Sequence, residues 1–107
     1  MGTIPSELAL LTSLKQLFLD HNDFGGSIPE EILTLPNLEQ LDVNSNSLTG
    51  GFPLFTSPNL QSISVGSNRL TGTIPETIGM GMSKLVTIDA AVRGDYDDVY
   101  VMIFVQR

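Results

Sequence analysis

A set of eight positions recurs three times along this chain and leaves little freedom in how it can fold. Leu14, Leu17, Leu19, Asn22, Phe24, Gly26, Ile28 and Pro29 are matched by Leu38, Leu41, Val43, Asn46, Leu48, Gly50, Phe52 and Pro53. They are matched again by Leu60, Ile63, Val65, Asn68, Leu70, Gly72, Ile74 and Pro75. The leading leucines, with Leu85 as a fourth, stand 24, 22 and 25 residues apart. Units of this length bury their apolar residues only by stacking on one another, so the chain has to build an array.

Each position has a physical reading. Leu17-Phe18-Leu19, Leu41-Asp42-Val43 and Ile63-Ser64-Val65 alternate with period two, which predicts short strands with one buried face. Strands this far apart have room for the crossover that parallel pairing needs. Asn22, Asn46 and Asn68 follow the strands, where an amide can both donate to and accept from backbone groups left unpaired by the turn, and stacking predicts a ladder of them. The glycines at 26, 50 and 72 suit positive φ or a close approach. Pro29, Pro53 and Pro75 preset φ for a helix start, and Glu30, Glu31 and Glu76 fall in its first turn. Ile32 and Leu35 are expected to point inward from that turn, with Leu8 and Leu11 doing the same in the incomplete first unit.

Two units depart from the pattern. Leu54-Phe55-Thr56-Ser57-Pro58 is too short and too proline-bound for a helix and predicts an extended segment or a single turn. Ile78-Gly79-Met80-Gly81-Met82 carries one extra residue, with Met82 in the place Leu35 holds earlier. After Ala90 the pattern stops, since Arg93 and Asp95 stand where asparagine and leucine belong. Val99 to Val105 is strongly β-prone, and the short acidic connection from Arg93 to Asp98 permits only an antiparallel hairpin with the strand begun by Leu85, Ile88 and Ala90. The alternative is a tail foreign to the fold and liable to self-association.

The unit closely resembles that of the plant-type leucine-rich-repeat family, L-x-x-L-x-L-x-x-N-x-L-x-G-x-I-P, over Gly2 to about Ala90. The resemblance implies an α/β solenoid, a right-handed superhelix with a short parallel sheet on its concave face and short helical or 3-10 turns on its convex face. It also implies a role in recognising proteins, peptides or small ligands. The expected organisation is a repeat domain over residues 1–92, made of a partial unit 1–13, units 14–37, 38–59 and 60–84, and a degenerate unit from 85. Residues 93–107 form a non-repeat acidic turn and tail. Gly2-Thr3-Ile4-Pro5 aligns with Gly72-Thr73-Ile74-Pro75, so the chain begins inside a unit and is expected to be a fragment of a longer array.

Charge and composition remove several function classes. Five basic against twelve acidic residues give a net charge of −7, unsuited to phosphate backbones or anionic membranes. With no cysteine, neither a disulfide framework nor a thiolate metal site exists. No apolar run approaches the roughly 20 residues of a membrane helix, and no secretory signal is readable. Compartment is left open: cytoplasmic for a complete chain, extracellular for a receptor fragment. No Asn-x-Ser/Thr site occurs.

The candidate binding surface consists of the outward positions of the strands and the turn after them: Gln16, Phe18, Asp20 and His21; Gln40, Asp42, Asn44 and Ser45; Ser62 and Ser64; and Asp89. Gly66, Ser67, Thr87, Ala91 and Val92 extend the same columns. Phe18 is the one large apolar side chain there and has the character of an interface anchor inside a polar rim; the plainer reading is an ordinary surface apolar residue. His21 is the only histidine, and a triad with Ser45 and Asp42 would lie on an open surface with no oxyanion hole. Asp95, Asp97 and Asp98 lack the glycine and closing glutamate of a calcium loop. Arg93-Gly94-Asp95 and the myristoylation-like Met1-Gly2 with Ser6 are matches too short to carry weight. The expected function is therefore a non-enzymatic recognition module for a protein or peptide, with no cofactor, no metal, no nucleic acid and no membrane insertion. The alternatives are part of a receptor-kinase-like ectodomain, or self-association through the repeat edges or the C-terminal strand.

Overall fold

A computed structural model describes residues 2–51, 54–71, 87–93 and 98–104, the last two segments as backbone. Strands β1 (Gln16–Phe18), β2 (Gln40–Asp42), β3 (Ser62–Ser64), β4 (Thr87–Arg93) and β5 (Asp98–Phe104) form one sheet in chain order. The first four strands pair parallel and in motif register, with Leu17, Leu41, Ile63 and Ile88 aligned. The expected hairpin is present: β4 and β5 pair antiparallel from Thr87↔Phe104 to Arg93↔Asp98. Expectations for Phe52, Pro53, Gly72, Ile74, Pro75, Glu76, Met82, Leu85, Asp95, Asp97 and Val105 lie outside the described residues.

Opposite the sheet stand a 3-10 helix (Ser6–Leu10) and a single turn of α-helix, α1 (Glu30–Leu33). Pro5 and Pro29 precede them with φ of −68° and −58°, and Glu30 and Glu31 occupy the first turn of α1. Among the described residues of the second unit there is no helix. Residues 54–57 adopt no regular secondary structure, and the backbone N–H groups of Thr56 and Ser57 and the Ser57 hydroxyl all donate to the Leu33 carbonyl at 3.0–3.1 Å. This satisfies a carbonyl that the end of α1 leaves open and fixes the spacing between neighbouring units.

The core follows the repeat. Leu38, Leu41, Val43, Leu48, Leu60, Ile63, Val65 and Leu70 are almost completely buried, and Ile32, Leu35, Leu33 and Phe55 fill the convex side. The last two were not expected there. Leu11 is a correction: predicted inward, it is 55% exposed, at the C-cap of the 3-10 helix rather than in the core. Leu8 is only half-buried and packs against the core edge.

Two asparagine ladders join the units. Asn46 donates Nδ2 to the carbonyls of Leu19, Val43 and Asn44, and its Oδ1 accepts the Phe24 N–H at 3.1 Å. Asn68 repeats the pattern one unit on, with Val43, Val65 and Gly66 as acceptors and the Leu48 N–H as donor. The second ladder was not anticipated: Asn37 donates to Thr12 O at 2.9 Å, and Asn59 to Pro36 O at 2.8 Å. Gly26 and Gly50 adopt φ of +70° and +99°, and a Cβ on Gly26 would approach Thr3 to 3.1 Å. Among the described residues no buried side-chain nitrogen or oxygen lacks a partner.

Candidate functional site

The register of the sheet turns the outward positions into rows. Gln16, Gln40, Ser62 and Thr87 are aligned in one row, and Phe18, Asp42, Ser64 and Asp89 in the next. Pairing continues past the strands, since Leu19 N donates to Asp42 O, His21 N to Asn44 O, Val43 N to Ser64 O and Ser45 N to Gly66 O. Asp20 and Asn44 therefore hold a third row. The strand alternation that buries Leu17, Leu41 and Ile63 leaves Gln16, Phe18, Gln40, Asp42, Ser62 and Ser64 outward.

Side-chain size falls along the rows, from Gln16 and Phe18 through Gln40 and Asp42 to Ser62 and Ser64. Phe18 is 56% exposed, stands on β1, one of the two edge strands of the sheet, and has Asp42 as its register neighbour. Gln40, Asp42, Asn44, Ser62 and Ser64 are half-buried, and Gln16 is exposed. Gly66, placed in the same columns, is buried and contributes only its carbonyl, which accepts from Ser45 and Asn68. Asp89 holds the fourth position of the Phe18 row.

His21 and Ser45 sit differently from what strand alternation suggests. With Ser67 they have φ of 56°, 58° and 52°, a left-handed conformation uncommon for residues other than glycine. In each unit this residue turns the chain off the strand, and in the second and third it brings Asn46 and Asn68 into the ladder. Their sequence gave no glycine to signal it.

The acidic groups have defined partners. Asp20 Oδ2 lies 2.9 Å from His21 Nδ1 on an exposed edge. The hydrogen bond from His21, assisted by backbone hydrogen bonding at Asp20, holds the Asp20 carboxyl below its ordinary range. Asp42 Oδ1 accepts the Asn44 N–H at 3.0 Å. His21 is thus engaged by its chain neighbour and Asp42 by a turn, an arrangement unlike the relay that a triad with Ser45 requires. Among the described residues no group of acidic, histidine or cysteine side chains could hold a metal ion. No helix there is long and apolar enough to cross a membrane.

The leucine-rich repeat family model matches residues 13–35, 37–57 and 59–80. Several solved structures are similar. The leucine-rich-repeat ectodomain of the plant membrane receptor kinase GASSHO1/SCHENGEN3 from Arabidopsis thaliana, in complex with CASPARIAN STRIP INTEGRITY FACTOR 2, is 41% identical with a TM-score of 0.74, covering 85% of this chain and 11% of that one. The plant peptide hormone receptor RGFR1, in complex with RGF2, is 36% identical with a TM-score of 0.74, covering 85% of this chain and 15% of that one. Pollen Receptor Kinase 3 is 33% identical with a TM-score of 0.70, covering 83% of this chain and 43% of that one. The chain thus spans well under two thirds of each. Among curated proteins none matches it.

Proposed function

The chain belongs to the leucine-rich repeat family, and we propose that it is a non-enzymatic recognition module that binds a protein or peptide through its concave strand face. The observation that carries this reading is the Phe18 row: an exposed aromatic in register with Asp42 and Ser64, on a sheet face where alternation reserves every second residue for contact. Aromatic anchors within polar rims dominate many interfaces. Similar solved structures include receptors in complex with RGF2 and with CASPARIAN STRIP INTEGRITY FACTOR 2, which supports a peptide as occupant.

Size limits what the face does alone. Three strands of three residues and two of seven, at about 4.8 Å spacing and about 3.3 Å per residue, offer on the order of 360 Å², against about 800 Å² per partner in a standard interface. This supports a segment of a longer array that adds further rows, as in a receptor ectodomain, where the face would be extracellular. Proteins similar to this chain are many times its length.

The experiment is selection of a random-sequence peptide library, displayed multivalently on phage, against the 107-residue chain. Peptides recovered should lose binding on Phe18→Ala and weaken on Gln40→Ala, while Glu31→Ala and Thr34→Ala on the convex side leave it unchanged. Loss on the convex substitutions alone would overturn the reading. Self-association is the competing proposal, favoured by the outer position of β5 in the sheet; light scattering that finds a monomer at tens of micromolar removes it.

A further inference from the structure

The asparagine ladder has an open rung. Asn46 and Asn68 each reach into the unit before their own, where Nδ2 donates to the Leu19 or Val43 carbonyl and Oδ1 accepts the Phe24 or Leu48 N–H. Asn22 holds the same position in the first unit. It makes the same two local bonds, to Leu19 O and Asp20 O, that Asn46 makes to Val43 O and Asn44 O. Among the described residues its Oδ1 accepts nothing. Its amide is therefore set for a carbonyl and an N–H that no described residue supplies.

The strand beside it is open in the same direction. Leu19 N and His21 N donate toward the second unit and Lys15 O accepts from it; since main-chain groups alternate along a strand, Gln16, Phe18 and Asp20 direct theirs the other way. β1 is an edge of the sheet, so these groups meet no described strand. The equivalent groups of the second unit bond to the first: Gln40 N to Lys15 O, and Asp42 O and Asn44 O to the Leu19 and His21 N–H groups. Leu14, Leu19 and Phe24 are only half-buried, whereas Leu38, Val43 and Leu48, with a unit on each side, are fully buried. The convex half of the same open position is already filled. Thr3 pairs parallel with Gly25, Gly25 N donates to Gly2 O, and the Ser6–Leu10 helix lies beside α1. The slot is thus one strand wide, and a folded second copy placed there would have to share its space with residues 2–10.

We propose that the β1 edge is a docking site for a single extended segment of another chain, one carrying the strand half of a leucine-rich unit, apolar-x-apolar-x-x-Asn-x-apolar. The segment adds parallel to β1 and repeats the contacts between the first and second units, which is what fixes its chemistry. A segment with the sequence of residues 36–49 directs its Val43 N to Phe18 O, its Ser45 N to Asp20 O and its Glu39 O to Gln16 N. Its Val43 O meets Asn22 Nδ2 and its Leu48 N meets Asn22 Oδ1, while its Leu38, Val43 and Leu48 cover Leu14, Leu19 and Phe24. Asp20 O already accepts from Asn22, and Asn44 O shows that a carbonyl at this position takes a second donor, from Asn46 and from His21 N. The site consists of main-chain edge and one amide, so it is separate from the side chains of the concave rows.

The test titrates a synthetic peptide copying residues 36–49, up to millimolar concentration, into the isotope-labelled 107-residue chain. The expected result is saturable shifts of the Gln16, Phe18 and Asp20 amides and of the Asn22 side-chain NH2, with the Ser62–Ser64 amides unmoved. N-methylation of the peptide at Val43 and Ser45, whose N–H groups face β1, should weaken binding about tenfold or more. Methylation at Asp42 and Asn44, whose N–H groups face away, should weaken it clearly less. Asn22→Asp, which loses the donor and keeps the acceptor, should weaken it about fivefold; the peptide arms read the same site on the unaltered chain, so a folding defect cannot mimic the result. Equal effects of the two methylated peptides, shifts confined to the second and third units, or no saturable binding each overturn the proposal. A concentration-dependent dimer that the peptide dissociates assigns the edge to a second copy and overturns it as well.

Discussion

The first and second units carry the same motif and make very different use of it. In the second unit Leu38, Val43 and Leu48 are completely buried, whereas their counterparts Leu14, Leu19 and Phe24 in the first are only partly covered. Asn46 binds three carbonyls and one N–H, two of these groups in the preceding unit. Asn22 is exposed and reaches only Leu19 O and Asp20 O, both local. The difference is one of neighbours rather than of sequence. A repeat residue stabilises the fold to the extent that a unit on each side completes its surroundings, as nearest-neighbour coupling in a solenoid requires.

That comparison can be broken by paired substitutions read out in chemical denaturation of the 107-residue chain. The largest difference should come from the leading leucine: Leu38→Ala costs about 2–5 kcal/mol as a buried truncation, and Leu14→Ala, half-buried, clearly less. Equal costs would mean that the first unit is covered in solution by something the described residues do not supply. Next come the asparagines. Asn46→Ala should cost about 1–3 kcal/mol, because the Phe24 N–H and the turn carbonyls lose their partner; Asn22→Ala, with solvent available to both its acceptors, should cost under about 1 kcal/mol.

A smaller effect is expected on the binding face itself. Asp42→Ala should change stability by no more than about 0.5 kcal/mol, since it removes one half-buried turn hydrogen bond and no core contact. A larger loss would mean that the row is structural, and the division between scaffold and surface would fail. The smallest effect is electrostatic. His21 holds the Asp20 carboxyl below its ordinary range, so an NMR titration should find Asp20 ionised to lower pH than a free aspartate, and His21→Ala should move it back upward. Because the folded-state value is depressed, the small stabilisation from this contact is present above the unfolded value and is lost as pH falls through the folded one.

Much of this architecture is legible in the chain because the repeat imposes one constraint three times over. Leu41 and Asn46 could be placed from residue type and spacing alone, since an amide can both donate and accept at that turn. The Pro-Asn-Leu sequence at residues 36–38 and again at 58–60 contains the signal for the second ladder, yet its meaning depends on which carbonyl the stacked unit presents, Thr12 O and Pro36 O. Leu11 was misplaced for the same reason: alignment with Leu35 gives its position in the unit but not whether anything lies over it. The left-handed turn at His21, Ser45 and Ser67 was hidden because the residue type does not announce it. Of the binding face, the strand rows follow from alternation, whereas the departure of His21 and Ser45 from them does not.

The central claim is that the concave rows, and not the convex side, receive the partner. It is tested most directly by following backbone amide resonances of the isotope-labelled chain while adding a peptide recovered from the random library. The account predicts shifts clustered at Gln16–Asp20, Gln40–Asn44 and Ser62–Ser64. Shifts clustered instead at Glu30–Leu35 and Leu54–Ser57, with the strand rows unmoved, would contradict it.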